Sequence, residues 1–182
     1  MAEASYSSSG KEHKQLIHIE RALLEDAAAI TAIKTAAFNQ EINTWLGRNG
    51  GPPGYDQVES EQDIIQNLLA YKILLTEEND EKLIGAFFLI PEEPHGMRFE
   101  DFVIDPTKQG KGYGYQVLQL VERAYPEIME WRLSTPVFSV GNQHLYEKFG
   151  YVEQSRDEEE VFYQKTVRTM NRISAANTAE IL

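Results

Sequence analysis

The sequence contains no cysteine among its 182 residues. That absence excludes disulfide bonds, thiolate metal sites and a cysteine nucleophile together. Long apolar runs are missing as well, since no stretch approaches the roughly 18 residues that a membrane-spanning helix needs. Residues 1–14 are polar and Ser-rich, without the apolar core of a signal peptide. We therefore expect a cytoplasmic protein that does not bind a membrane.

Basic residues are also scarce. The chain has 17 lysines and arginines against 29 aspartates and glutamates, which gives a formal net charge of −12. Nucleic acids and anionic membranes favour basic surfaces, so neither is an expected partner. An acidic chain favours a cationic substrate instead, although acidic runs such as 157–160 are more often solvated turns. The four histidines share no metal-ligand spacing, and we predict no metal site.

The rest of the composition fits one folded domain. With 42% hydrophobic residues the chain can bury one sizeable core, and no composition break marks a second domain. Hydrophobic periodicity and turn residues predict the order βααβββαβαββ, with the first two helices at residues 25–38 and 59–70. We expect a disordered segment at residues 1–14, a single domain at residues 15–168 and a tail at residues 169–182.

The most informative segment runs from residue 99 to residue 114, where an apolar strand passes through a proline into three glycines and then a helix. Gly110, Gly112 and Gly114 let the backbone approach a ligand without side chains in the way. The free N–H groups at the start of the following helix attract anions, so the segment predicts a phosphate-binding loop. The spacing does not fit a P-loop, because a glycine follows Lys111 where Ser or Thr is needed, and it does not fit the dinucleotide fingerprint.

Two motifs in this order resemble the GNAT superfamily of N-acetyltransferases. The loop Gln109-x-x-Gly112-x-Gly114 is similar to the Gln/Arg-x-x-Gly-x-Gly/Ala motif with which that superfamily grips the pyrophosphate of acetyl-coenzyme A. Residues 142–151, Asn-Gln-His-Leu-Tyr-Glu-Lys-Phe-Gly-Tyr, resemble its Asn...Leu-Tyr-Glu-Lys-x-Gly-Phe/Tyr segment. The resemblance covers about residues 16–168. It implies an α/β (α+β) fold whose central mixed sheet, mostly antiparallel and of six to seven strands, is splayed into a V and flanked by about four helices.

The resemblance also implies where acetyl-coenzyme A, the co-substrate, would bind. Its pantetheine arm would pair with the strand at residues 102–104, and its pyrophosphate would lie on the glycine loop. Asn142 would contact the arm, although it lies four residues before Tyr146 where the superfamily has a longer spacing, so helix capping is an alternative. The predicted cofactor-binding residues are Phe102, Val103, Ile104, Gln109, Gly110, Lys111, Gly112, Tyr113, Gly114 and Asn142.

Amide formation requires a base, because a primary amine with a pKa near 10 is protonated at neutral pH. Glu100 and Asp101 are the candidates, and Glu-Asp-Phe at this place weakly resembles the spermidine/spermine N-acetyltransferases. Alternation places the two carboxylates on opposite faces of a regular strand, so only one faces the acetyl group unless a β-bulge intervenes. We predict Glu100 as the base, acting through water, with Asp101 as the alternative; both could also be plain charges at a strand edge.

Two further groups complete the predicted chemistry. A backbone N–H of Val103 or Ile104 would stabilise the oxyanion. Tyr146 matches the tyrosine that acts as general acid in many members of the superfamily, and it would protonate the leaving thiolate. The alternative for Tyr146 is an ordinary core tyrosine.

The acceptor pocket is the part that the sequence determines least. By the resemblance it is built from the first two helices, the loop at residues 38–55 and the loop at residues 155–160, where Trp45 and Tyr55 could line it or only form a lid. We predict an N-acetyltransferase that moves an acetyl group to a small cationic amine by direct attack in a ternary complex. A protein or peptide acceptor is one alternative, and a non-catalytic acetyl-coenzyme A-binding sensor or interaction module is another. Many relatives are dimers, so a homodimer fits the resemblance, but no motif fixes an interface.

Overall fold

The computed structural model describes residues 15–78 and 80–167. Four helices occur in these ranges: α1 (Ala27–Leu46), α2 (Val58–Asn67), α3 (Tyr113–Ala124) and α4 (Val140–Phe149). The strands are β1 (Leu16–Arg21), β2 (Leu69–Glu77), β3 (Asp80–Glu92), β4 (Gly96–Ile104), β5 (Glu130–Pro136), β6 (Val152–Arg156) and β7 (Glu160–Thr166). The predicted order βααβββαβαββ is confirmed. The predicted disordered segment at residues 1–14 and the tail at residues 169–182 lie outside the described residues.

The strands form one mixed sheet in the order β1-β2-β3-β4-β5-β7-β6. Strands β4 and β5 pair in parallel, and the other neighbouring strands pair antiparallel. The predicted fold class, a mostly antiparallel sheet of six to seven strands with about four flanking helices, is therefore confirmed. No helix in the described part of the chain is both long and apolar enough to span a bilayer.

Strands β4 and β5 stay together for only three residue pairs, which join residues 96–98 to residues 130–132. Beyond that point β4 continues to Ile104 beside β3, and β5 continues to Pro136 beside β7. The sheet therefore opens into a V. Along the opening, the facing edges of β4 and β5 present backbone N–H and C=O groups that the two strands do not exchange with each other.

Helices cover both faces of the sheet. Helices α1 and α2 cover one face, called here the α1–α2 face, and the core beneath them includes Ala27, Ile30, Ile65, Ala70 and Ala86. Helices α3 and α4 cover the other face over a larger core that includes Phe87, Phe99, Val117, Trp131 and Tyr163. In α3 the apolar residues recur at helical spacing and are buried, which is the pattern that predicted this helix.

Two helix boundaries differ from the predictions. Helix α1 does not end at residue 38 but continues for two more turns to Leu46, where Gly47 in the left-handed region (φ 65°) caps it. Those turns are largely exposed and polar, so no apolar period marks them. Helix α2 ends at Asn67 rather than at residue 70, because Leu68 is extended and Ala70 pairs with Phe88 in the sheet. A short apolar run fits a helix and a strand equally well.

Gly85 of β3 lies where β4 approaches most closely. A Cβ added there would lie 2.3 Å from the carbonyl oxygen of Val103 and 3.0 Å from the side chain of Ile73. Because a backbone oxygen cannot rotate away, we expect Gly85→Ala to lower the free energy of unfolding by about 2 to 3 kcal/mol, measured by equilibrium urea denaturation. Gly141→Ala in α4, where no atom lies within 4 Å of the added Cβ, is the control and should leave stability unchanged or raised. Equal stability of Gly85→Ala and the wild type would contradict this account.

Candidate active site

Strand β4 contains a β-bulge at the predicted bases. In the ladder, Phe87 of β3 lies opposite two residues of β4, Asp101 and Phe102. Asp101 has a φ of 49°, in the left-handed region that few residues other than glycine adopt. Bulges interrupt the alternation of a strand and redirect its side chains. The bulge therefore allows Glu100 and Asp101 to lie on the same face of the sheet.

Both carboxylates lie on the α1–α2 face. Glu100 is directly opposite Phe88 in the ladder, and opposite residues share a face. Phe88 packs against this face, with the Lys34 ammonium of α1 5.6 Å from its ring centroid. Asp101 accepts a hydrogen bond from the same ammonium, with 3.1 Å between Lys34 Nζ and Asp101 Oδ2. The two acids that the sequence could not assign to faces are thus brought together.

Glu100 is a half-buried carboxylate in a mostly acidic surrounding. Its side chain is 27% exposed and pairs with Arg98, with 3.0 Å between Glu100 Oε1 and Arg98 Nε. Burial raises the pKa of Glu100 above its ordinary value. The Arg98 guanidinium lowers that pKa in part, whereas the carboxylates of Asp101, Glu160 and Glu92 raise it further. A glutamate with a raised pKa is a stronger base once it is ionised.

The predicted phosphate loop is an open cradle of backbone. Gly110 and Gly112 have φ of 74° and 80°, and no atom lies within 4 Å of a Cβ built on either. Asp105 forms the turn that precedes the loop, since its side chain accepts from the N–H of Thr107 at 2.8 Å. Gln109 braces the loop by donating through Nε2 to the carbonyl of Ile104 at 2.9 Å. The loop therefore has free space where glycines are required for their backbone conformation.

Helix α3 begins directly after this cradle. The first hydrogen bond of the helix runs from the N–H of Gln116 to the carbonyl of Gly112 at 3.3 Å. The N–H groups of residues 113–115 come before it and therefore point out of the start of the helix, toward the loop. The side chain of Tyr113 is buried and donates to Gln15 Oε1 at 2.7 Å, so only its backbone faces the loop. The exposed Lys111 lies in the loop itself, whereas Lys108 forms an ion pair with Glu77 at 3.2 Å.

The edge of β4 continues from the cradle along the opening of the V. The N–H of Asp105 donates to Ile84 of β3 at 2.7 Å, and the Val103 carbonyl also points toward β3. Successive backbone groups alternate in direction, so the N–H of Ile104 faces the opening. Of the two predicted oxyanion donors, the geometry therefore favours Ile104. A glycine cradle at a helix N-terminus followed by a free strand edge fits a pyrophosphate with an amide-containing arm.

Helix α4 brings Tyr146 to the other side of the opening. The tyrosine is buried, with its ring 5.9 Å from that of Tyr151 and 6.2 Å from that of Tyr163, and its hydroxyl makes no hydrogen bond within the described residues. Burial raises the pKa of Tyr146, and the carboxylates of Glu41 and Glu100 add to the increase. Glu100 and Tyr146 are thus within electrostatic reach of each other, and the phenol stays protonated at neutral pH.

Asn142 lies one helical turn before Tyr146 in α4 and is half-buried. The N-cap position of this helix is Ser139, so the alternative capping role for Asn142 is wrong. Ser139 is buried and its hydroxyl donates to the carboxylate of Glu41. That hydrogen bond joins α1 to the start of α4 across the site. Glu41 lies in the part of α1 beyond residue 38, where the sequence predicts a loop.

The predicted acceptor residues lie at the carboxyl end of α1. Tyr55 fastens the following loop to this helix, because its hydroxyl donates to Asn39 Oδ1 at 2.8 Å and its ring packs edge-on against Phe38 at 5.9 Å. Trp45 is on the last turn of α1 and is exposed. The hydroxyl of Tyr55 is therefore engaged within the protein, while the indole of Trp45 faces solvent. No group of three or more His, Asp or Glu side chains placed to hold a metal occurs in residues 15–78 and 80–167.

The same fold occurs in solved structures, which include acetyltransferases. The PaiA N-acetyltransferase of Thermoplasma acidophilum, in complex with coenzyme A, has a TM-score of 0.68 and 17% identity over 84% of this chain and 99% of its own. A domain from Methanocaldococcus jannaschii has a TM-score of 0.69 and 17% identity over 85% and 100%. The spermidine N-acetyltransferase of Vibrio cholerae, in complex with CoA and spermine, has a TM-score of 0.61 and 17% identity over 82% and 95%. At this identity the likeness concerns the fold.

Sequence comparison matches the central part of the chain to a known domain family. No curated protein sequence is detectably similar to the chain. A family model described as an acetyltransferase (GNAT) domain matches residues 70–153, which include β4, the glycine loop, α3 and α4. These are the elements that form the cradle, the opening and the position of Tyr146. This part of the chain therefore matches the acetyltransferase (GNAT) domain, and the match supports an acetyl-coenzyme A-dependent N-acetyltransferase.

Proposed function

We propose that this chain transfers the acetyl group of acetyl-coenzyme A to the primary amine of a small cationic acceptor, by direct attack in a ternary complex. The observation that carries the proposal is the opening between β4 and β5. The glycine cradle lies at its wide end, and Glu100 lies two residues beyond Arg98, the last residue of β4 that pairs with β5. A donor laid along this edge would bring its reactive end to Glu100.

The donor would be held mainly by backbone. Its pyrophosphate would accept hydrogen bonds from N–H groups of residues 110–115, and its arm would pair with the β4 edge at residues 102–104. Acetyl-coenzyme A supplies an acetyl group activated as a thioester. The N–H of Ile104, which faces the opening, would donate to the part of the arm nearest the cradle. Asn142 would contact the arm from α4.

Glu100 would remove the proton from the acceptor amine, directly or through a water. An amine attacks only when its nitrogen lone pair is free, and the base must lie on the acceptor side of the site. Glu100 lies on the α1–α2 face of the sheet, and the loop after α1 borders this face. Its raised pKa makes it a better proton acceptor than an exposed glutamate. Asp101 is engaged by Lys34 and is the weaker candidate.

Carboxylates around the site support a cationic acceptor. Those of Asp101, Glu160 and Glu92 act on Glu100, and that of Glu41 acts on Tyr146. Arg98 is the basic group paired with Glu100, and it is also 3.7 Å from Glu92. An acidic surrounding attracts ammonium groups and raises their local concentration. The fold neighbour solved with spermine, a spermidine N-acetyltransferase, gives a precedent for such an acceptor.

Tyr146 would protonate the leaving thiolate. A thiol has a pKa near 8.5, so its anion is already a fair leaving group and acid catalysis contributes less here than base catalysis. We expect Tyr146→Phe to lower kcat by about tenfold with little change in the Kd for coenzyme A, measured by steady-state kinetics and calorimetry. Tyr163→Phe, which alters a neighbouring core tyrosine hydrogen-bonded to Glu147, should leave kcat unchanged. If Tyr146→Phe loses coenzyme A affinity instead, the tyrosine is structural.

The experiment that tests the function is thiol release from acetyl-coenzyme A in the presence of candidate acceptors. A thiol reagent gives no background from this protein, because the chain has no cysteine. The panel contains polyamines, amino sugars, amino acids and short peptides, and calorimetry measures coenzyme A binding separately. Release that depends on a small amine supports the proposal. Faster release with peptides than with small amines would indicate a peptide acetyltransferase, and tight coenzyme A binding without release would indicate a sensor.

A further inference from the structure

Lys34 of α1 is a lysine buried at the junction of three elements. Its side chain is only 2% exposed. The ammonium lies 2.7 Å from Glu61 Oε2 of α2 and 3.1 Å from Asp101 Oδ2 of β4, and it is 5.6 Å from the ring centroid of Phe88. These contacts occupy the ammonium on three sides. None of them is needed for the chemistry assigned above to Glu100 and Tyr146.

Such a cluster is a poor way to gain stability. Removing an ammonium and two carboxylates from water carries a large desolvation cost, and an apolar cluster of the same volume often stabilises a fold equally well. The cluster also carries an uncompensated charge, because one lysine faces two carboxylates. Its placement suggests a different use, since Asp101 is the residue of β4 that holds the left-handed φ of 49°. Backbone strain of this kind persists where the surroundings fix it in place.

Fixing Asp101 determines where Glu100 points. In a regular strand the two side chains would lie on opposite faces, and the bulge at Asp101 and Phe102 brings both onto the α1–α2 face. Asp101 is then 20% exposed and bound to Lys34, whereas Glu100 is 27% exposed and, among the residues that the structure describes, forms its ion pair with the exposed Arg98. One acid is held inside the protein and the other remains available to the acceptor.

We propose that Lys34, supported by Glu61, is a positioning residue that holds Asp101 in the β4 bulge and so presents Glu100, not Asp101, as the base. The proposal deepens the proposed function and rests on it for its catalytic part. Its structural part, that the ammonium maintains the bulge, is independent of any acceptor. Lys34 itself touches neither the donor edge of β4 nor the glycine loop.

The test compares Lys34→Met with the double variant Lys34→Met/Glu61→Gln in the full chain. The single variant leaves two buried carboxylates without a cation, so it can fail to fold. The double variant removes one positive and one negative charge, which keeps the net charge of the cluster and leaves only Asp101 unpaired. Lys72→Met is the matched control, because Lys72 is a partly buried lysine of the same face whose ion pairs are with Asp26, at 3.1 Å, and Glu20 rather than with Asp101 or Glu61.

Two measurements decide the outcome. We expect amide hydrogen exchange at residues 100–103 to be at least about tenfold faster in the double variant than in the wild type, with no such change in Lys72→Met. With the best amine of the panel, we expect kcat to fall by about 30-fold while the KM for acetyl-coenzyme A stays within about twofold. If the cluster only stabilised the fold, its loss would not lower kcat while leaving the KM for acetyl-coenzyme A nearly unchanged.

The results also separate this proposal from the proposed function. Exchange at residues 100–103 and kcat both within twofold of the wild type in the double variant would overturn the role of Lys34. Faster exchange in a protein that acetylates no amine would support Lys34 as the residue that maintains the bulge and would count against the proposed function. Equal losses in Lys72→Met would assign the effect to general destabilisation and would overturn the proposal.

Discussion

Glu100→Gln should lower kcat by about 1,000-fold, within the range of about 10² to 10⁴ that a positioned general base contributes. Glutamine keeps the shape of glutamate and its place beside the β4 bulge, but it cannot accept the amine proton. The Kd for coenzyme A should stay the same, because the donor contacts lie in the glycine loop and along the β4 edge. Thiol-release kinetics and calorimetry measure the two quantities.

The assignment of Glu100 as the base also predicts how activity changes with pH. Glu100 must be ionised to act, so activity falls as the pH drops through its pKa, and burial places that fall at a higher pH than for an exposed glutamate. Arg98 lowers the pKa, so Arg98→Gln should move the acid limb to higher pH. Asp101 raises the pKa, so Asp101→Asn should move the limb to lower pH. The opposite directions cannot both come from a general loss of stability.

Glu153→Gln is the control for Glu100→Gln. Glu153 is a glutamate of β6 that pairs with Arg156 at the surface, away from the opening. Its replacement should change neither kcat nor the acid limb. If Glu100→Gln retains more than about a tenth of the wild-type kcat with an unchanged acid limb, another group is the base and the assignment is wrong.

Gly112→Val should weaken coenzyme A binding by about 100-fold. Gly112 has a φ of 80°, which a β-branched residue adopts only under strain, and its Cβ would project into the space of the cradle. The loop must then shift or the side chain must exclude the phosphate. Losing one or two hydrogen bonds to a charged group, at about 1.5 to 3 kcal/mol each, gives an effect of this size. Calorimetry with coenzyme A measures it.

Gly47→Val is the matched control for Gly112→Val. Gly47 has a φ of 65° at the end of α1, and no atom lies within 4 Å of its added Cβ. The variant therefore introduces comparable backbone strain outside the loop, and it should reduce stability without reducing coenzyme A affinity. A folded Gly112→Val protein that binds coenzyme A as tightly as the wild type would rule out the glycine loop as the phosphate site.

Local pattern predicted most elements of the fold. The apolar period of α3 and the glycines before it are properties of neighbouring residues, so the order of elements and the loop could be derived from the sequence. The bulge at Asp101 could not, because it depends on how β3 and β4 are aligned. The second half of α1 was missed because its side chains are mostly exposed and carry no apolar period, although Gly47 was a signal for its end.

The Lys34 cluster shows a different limit. Lys34 lies among the alanines and isoleucines that gave α1 its apolar face, and Glu61 lies near the start of α2, where acidic residues are common for reasons of helix polarity. Neither residue is unusual in its own helix. Asp101 is 67 residues from Lys34 along the chain. Only the packing of both helices on one face of the sheet brings the three charges together.

Because β4 and β5 pair over so short a stretch, the sheet consists of two parts, one formed by β1 to β4 and the other by β5, β7 and β6. Glu100 belongs to the first part, and Tyr146 packs against the second through Tyr163 of β7. A donor lying in the opening would hydrogen-bond to both parts of the sheet and so fix the distance between them. The acceptor would then meet a complete pair of catalytic groups only after the donor has bound. On the proposed mechanism we therefore expect an obligatory order of binding, in which binding free energy from the distant nucleotide end of the donor helps to organise the catalytic groups.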